Sequence, residues 1–77
     1  MVNVLLFAEL QEAAGRDQLT FDVDGITVKQ LKDQCLSTYH LENIDYAMVA
    51  INEEYAEEDA LIYKGDTVAL IPPVSGG

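Results

Sequence analysis

The chain has 77 residues, 49% hydrophobic and 23% charged, with five glycines, two prolines, one cysteine and one histidine. A chain this short hides only about 60% of its unfolded surface, so it makes one small domain with a thin core, and neither an internal disulfide nor a Cys/His zinc cluster is there to staple it. Fourteen acids against four bases give a net charge of −10, which excludes binding to a nucleic-acid backbone, and the longest apolar run, Val4–Ala8, is too short to span a membrane. The first residues lack the basic region of a signal peptide, so the expectation is a cytoplasmic protein whose partners present basic surfaces.

Met1–Phe7 alternates as a strand, with Val2, Val4 and Leu6 on one side and Asn3, Leu5 and Phe7 on the other. Ala8–Ala14 is rich in helix formers and stops at Gly15. Gln18–Val23 alternates again, with Leu19, Phe21 and Val23 on one face, before Asp24-Gly25 punctuates the chain. The first two strands are expected to be neighbours. Thr27-Val28-Lys29-Gln30 is a capping-box signature, and the helix it opens is predicted to run to Tyr39. Its stripe comprises Val28, Leu31, Cys35 and Tyr39, widened by Leu36, and suits a sheet face. His40–Tyr46 has the character of a loop, and Ala47–Ile51 is apolar throughout, as in a central strand. Asn52-Glu53-Glu54 turns the chain, Tyr55 starts a brief returning strand, Leu61-Ile62 leads to the turn Lys64-Gly65-Asp66, and Thr67–Ile71 is the last strand. Two strands, a capped helix and further strands make an α+β domain with one main helix on one face of a mixed sheet. The ubiquitin-like β-grasp has this order; composition alone does not separate it from other small α+β folds.

The side chains that tempt as catalysts each have a plainer role. His40 follows Tyr39 at a helix end, where a positive charge meets the helix dipole favourably. Cys35 lies on the apolar stripe, where a thiol behaves as a small hydrophobe. Glu57-Glu58-Asp59 forms a solvated turn, since calcium loops need spaced ligands and a glycine bend, and Asp22, Asp24 and Asp33 do not converge. No metal site is expected, and the chain is not expected to be an enzyme by itself.

The ending is more informative: Leu70-Ile71-Pro72-Pro73-Val74-Ser75-Gly76-Gly77. Pro72-Pro73 cannot continue a central ladder and favours extended geometry. The division expected is therefore a globular domain over 1–71 and a projecting tail over 72–77, reaching about 20 Å at ~3.3 Å per residue. Gly76-Gly77 has no side chains, so it can enter a channel too narrow for other residue pairs and adopt whatever dihedrals that channel demands. A carboxylate on a slim tether is what an acyl carrier requires.

Together with the opening Val4-Leu5-Leu6-Phe7-Ala8-Glu9 and the turn Gly65-Asp66, the ending Val68–Gly77 resembles the small, sulfur-carrier subunit of molybdopterin synthase, of the ubiquitin-like β-grasp type. The resemblance implies the following chemistry. A ubiquitin-activating-type enzyme spends ATP to adenylate the Gly77 carboxylate, and sulfur displaces AMP to leave a thiocarboxylate. The charged tail then enters the large synthase subunit and gives its sulfur to cyclic pyranopterin monophosphate. It also implies two small and two large subunits, with catalytic side chains on the large one and no cofactor bound by this chain. Alternatives are a ubiquitin-like modifier joined to lysines through Gly77, and a thiamin-pathway sulfur carrier, which shares the diglycine without the proline pair. Within this chain, Lys29, Lys32 and Lys64 do not discriminate among them.

Strand parity forecasts the docking face. If Val4 and Leu6 face the helix, Leu5 and Phe7 emerge opposite; Val68 and Leu70 then face in, and Ala69 and Ile71 out. An uncovered sheet face is normally polar, so these apolar positions, with Tyr55, mark a partner surface unless the short helix near Leu10 or the Tyr55 strand covers them.

Overall fold

The computed structural model describes residues 1–39, 41 and 44–72. Among them, five strands form one mixed sheet in the spatial order β2 (Gln18–Phe21), β1 (Val2–Leu6), β7 (Thr67–Ile71), β4 (Met48–Ile51) and β5 (Glu54–Ala56). The first and last strands are parallel, with Asn3 opposite Thr67 and Leu6 opposite Leu70, while the pairs β1–β2, β4–β7 and β4–β5 are antiparallel. A second ladder, unforeseen from periodicity because each strand is two residues long, pairs β3 (Ile26–Thr27) with β6 (Leu61–Ile62).

The alternation read from the sequence sets the two faces. Val2, Val4, Leu6, Val68, Leu70, Val49 and Leu19 are buried in one cluster that also takes in Val28, Leu31 and Leu36 from the helical segment. The short helix α1 (Ala8–Ala14) sends Leu10 into this core and ends at Gly15, whose φ of 75° is the left-handed stop that glycine adopts without strain.

The main helix differs from its expected form. Thr27 does open it with a capping box: the Gln30 N–H donates to Thr27 Oγ1 (3.1 Å), and the Thr27 N–H donates to Gln30 Oε1 (2.8 Å). The α-helical part, α2, nevertheless covers only Val28–Gln30. A π-helical turn follows over Leu31–Cys35, with the Leu36 N–H donating to the Leu31 carbonyl at 3.1 Å, and then a 3-10 turn over Ser37–Tyr39. Each π turn holds an extra residue, so the stripe slips: Val28, Leu31 and Leu36 are buried, whereas Cys35 and Tyr39 are half-buried at its margin.

That slip accompanies a burial the apolar stripe did not foretell. Lys32 is 5% exposed, with its ammonium 3.3 Å from the Ala47 carbonyl, 3.4 Å from the Asp45 carbonyl and 3.8 Å from Glu58 Oε1. It thereby ties the helical segment to the 3-10 turn Ile44–Tyr46 that leads into β4, and to the acidic turn.

At one end of the sheet, Asp66 locks the strand entrances. Its Oδ2 accepts from the Tyr63 N–H at 2.9 Å and its Oδ1 from Asn52 Nδ2 at 3.0 Å, and these bonds hold its carboxyl below the usual carboxylate range. Asn52 also accepts from the Thr67 N–H through Oδ1 at 3.0 Å. The opposite end, where β7 finishes, is differently built.

Candidate functional site

Ile71 ends β7 opposite Met48, and Leu70 is opposite Leu6, so Phe7 follows β1 at the same end of the sheet. Ile71 and Pro72 are half-buried there. Pro72 has no N–H with which to extend the ladder, so the chain leaves the sheet at this rung. The expected tail residues Pro73, Val74, Ser75, Gly76 and Gly77, and the expected helix-end His40, lie outside the described residues.

Register gives the outer face its composition. One row across it is Gln18, Leu5, Ala69, Ala50 and Tyr55. The row nearer the tail contains Met48 beside Ile71, with Phe7 at the end of the neighbouring strand; the row away from it contains Thr20, Asn3 and Thr67. The outer face is therefore apolar where β7 ends and polar at the far end. Phe7 is 44% exposed, Met48 52% and Tyr55 71%, while Leu5, Ala69 and Ile71 are half-buried. Leu10 turns into the core, so the short helix does not offer it as a cover for this face, and Tyr55 lies on the face as a member of it.

The backbone beside Phe7 is bent. Ala8 has φ 51°, a left-handed conformation that disfavours a side chain, and the Leu10 N–H donates to the Phe7 carbonyl at 3.1 Å. This turn takes the chain sharply off β1 immediately after Phe7. Tyr46, 74% exposed, precedes β4 in the turn that Lys32 ties down.

Parity thus places Leu5, Phe7, Ala69, Ile71 and Tyr55 together as expected. It missed Met48 and Ala50, because Ala47–Ile51 is apolar at every position and hides which side faces out. The antiparallel register with β7 was the signal needed: Met48 must share the side of Ile71, and Ala50 that of Ala69.

The other residues weighed as chemical groups take structural places. Cys35 is half-buried, and burial raises its thiol pKa. Glu58, in the acidic turn, reaches toward Lys32, and its carbonyl accepts from the Lys29 N–H at 3.0 Å. Asp33 pairs with Lys29 at 3.3 Å on the exposed side of the helical segment, and Asp24 Oδ1 accepts from the Lys64 N–H at 3.0 Å. Asp22 is exposed in the connection after β2. Among the described residues, no helix is long and apolar enough to cross a membrane. What the site offers is a five-stranded platform with an apolar outer face, and a central strand, β7, that ends at Ile71, before Pro72, on the edge of that face.

Comparison with known proteins gives this arrangement a family. The sequence model of the ThiS family matches residues 4–77. A molybdopterin synthase sulfur carrier subunit of Drosophila simulans is 41% identical, over 99% of this chain and 90% of that protein. One of Arabidopsis thaliana is 37% identical, over 99% of this chain and 82% of that protein. Among solved structures, SAMP1 from Haloferax volcanii superimposes with a TM-score of 0.83 at 32% identity, covering 99% of this chain and 98% of that one. The fold is the ubiquitin-like β-grasp.

Proposed function

The chain belongs to the ThiS family, and we propose that it is the sulfur carrier of molybdenum-cofactor synthesis, with Gly77 as the carrying residue. A carboxylate is a poor electrophile. A ubiquitin-activating-type partner would use ATP to join the Gly77 carboxylate to AMP, releasing pyrophosphate, and the resulting mixed anhydride makes the carbonyl reactive. Sulfide, or persulfide sulfur with a thiol to release it, displaces AMP and leaves a thiocarboxylate. In the large synthase subunit this group gives its sulfur to cyclic pyranopterin monophosphate, and two rounds build the dithiolene. The chain itself supplies the sulfur atom and no catalytic side chain. It works in the cytoplasm, in an assembly of two small and two large subunits.

The observation that carries this reading is a single junction. The apolar outer face and the departure of the chain at Pro72 share one edge, in a chain whose last residues are Pro72-Pro73-Val74-Ser75-Gly76-Gly77 and whose relatives are named sulfur carriers. A partner seated on Leu5, Phe7, Ala69, Ile71 and Tyr55 would meet the chain where β7 ends, and a Pro-Pro pair there favours an extended course for the residues that follow it. The test is the intact mass of the protein after incubation with an adenylating partner, ATP and a sulfur donor. One oxygen is expected to be exchanged for sulfur, and removal of Gly76-Gly77 should abolish the exchange; an unchanged mass with a competent partner refutes the reading.

The likeness to SAMP1, a small archaeal modifier protein, favours a second reading in which Gly77 joins protein lysines through isopeptide bonds. A ladder of Gly77-linked conjugates in cell extract, without sulfur transfer to the pterin, would select it.

A further inference from the structure

We infer that Glu53 is a specificity-determining residue of the docking face, receiving a lysine or arginine of the protein seated there. The inference rests on the docking reading above and adds to it the chemistry by which a partner is chosen.

The first observation is conformational. Asn52 and Glu53 are the two residues that join β4 to β5, and their φ angles are 51° and 71°. A two-residue hairpin with both central residues at positive φ is a type I′ turn, for which Asn-Gly is the favoured pair. Asparagine fits its place. Glutamate at the second place accepts backbone strain that glycine would avoid, and strain of this kind, held by its surroundings, points toward use. The surroundings do hold it: the Asn52 N–H donates to the Thr67 carbonyl at 2.8 Å, and the Asn52 side chain joins Asp66 and the Thr67 N–H at 3.0 Å each.

The second observation is positional. Glu53 lines a shallow depression with Leu5, Asn52, Thr67 and Ala69. Leu5 and Ala69 belong to the docking face, so this depression is that face continued toward its polar end. Among the described residues, no lysine or arginine lines it. An apolar floor beside a carboxylate matches a long basic side chain, whose methylenes cover Leu5 and Ala69 while its head meets Glu53. Thr67 lies four residues before Ile71 in β7, about 13 Å along the strand, well within one partner's footprint of about 800 Å². With a net charge of −10 the chain already attracts basic surfaces; Glu53, on a braced turn, fixes where one such charge lands.

The experiment measures association of the full chain with the large synthase subunit by stopped flow across a salt series. Glu53→Gly removes the charge and relaxes the turn; Glu53→Gln removes the charge and keeps the side-chain shape. Both are expected to associate several-fold more slowly at low ionic strength, by about three- to tenfold, with the gap closing as salt rises. Glu53→Gly should also melt higher than the parent, so its slower binding cannot come from poorer folding. Glu12→Gln, of equal net charge on the exposed side of α1, should stay within about twofold. An unchanged rate for Glu53→Gln, or an equal slowing for Glu12→Gln, overturns the assignment. Phe7→Ala separates the two levels. If it weakens binding while Glu53→Gln does not, the Glu53 role alone fails; if Phe7→Ala binds as the parent does, the docking reading fails and takes the Glu53 role with it.

Discussion

Replacing Lys32 with methionine keeps an unbranched side chain of similar length in the core and removes its ammonium. The Ala47 carbonyl is then buried without this donor, and the partly buried Asp45 carbonyl loses one as well. A buried acceptor left without a partner costs about 1–3 kcal/mol, and the lengths of 3.3 and 3.4 Å place these bonds at the weak end of that range. Glu58 adds little, because its side chain is 56% exposed, its separation is 3.8 Å, and water takes over the vacated contact. Burying the ammonium has its own desolvation cost, which the substitution returns. Two such acceptors lose about 2 kcal/mol together, and the returned desolvation brings the expected net loss to about 1 kcal/mol, against a total of about 4–12 kcal/mol for a domain of this size. At roughly 4–8 °C per kcal/mol, the midpoint should fall by about 4–8 °C in a calorimetric or circular-dichroism melt. Glu58→Gln should move it by about 2 °C or less. A Lys32→Met variant that melts within about 2 °C of the parent, or above it, would refute the reasoning and make the ammonium's desolvation equal to its bonds.

Two further outcomes test the frame on which the site stands. Asp66 has a folded pKa below the ordinary aspartate value, so its contribution is complete above about pH 4 and is lost as pH falls through the folded value. Asp66→Asn should therefore melt below the parent near neutrality, with the gap narrowing in melts taken below about pH 4; a gap independent of pH would contradict that origin. Gly15 has φ 75° and open space where a Cβ would sit, so Gly15→Ala meets backbone strain without a clash. A loss of about 1 kcal/mol, seen as a drop of roughly 4–8 °C, is expected, and an unchanged melt would count against a left-handed stop at this position.

The parts legible in the sequence were those where one local rule decides. Gly15 stops α1, Thr27 and Gln30 cap each other, and Thr67–Ile71 is bounded as the alternation placed it. The apolar outer face was legible for a related reason: once Val4 and Leu6 are taken to face the helix, unbroken alternation in β1 and β7 sends Leu5, Ala69 and Ile71 to the other side. Where several contacts decide together, the local rules fell short. In Ala47–Ile51 every side chain is apolar, so only pairing with β7 reveals that Met48 faces out. The helix from Val28 was expected to keep its stripe as far as Tyr39, and Leu36 is buried on it, yet the π turn leaves Cys35 and Tyr39 half-buried at its margin. Lys32 reads as a surface residue from its type, and its burial depends on carbonyls 13 and 15 positions along the chain.

The central position of β7 bears on how such a carrier delivers its terminus. Val68 and Leu70 are fully buried, and β7 pairs on both sides, with β1 and with β4 as far as the rung Met48–Ile71. The last paired residue, Ile71, thus stands beside Phe7 at the edge of the apolar outer face, and six residues, 72–77, follow it in the sequence. A tether of that length spans at most about 20 Å. On the proposed reading, a partner seated on the outer face would find Gly77 within that reach, and a short tether of this kind gives an effective concentration in the millimolar range. Affinity can then reside in the face while the tail remains bare. The terminus needs no side chains of its own to find a channel, and the partner that grips the globe determines which channel it enters. An edge strand would not serve as well, since with a ladder on one side alone the chain could peel back from the face and lengthen the tether.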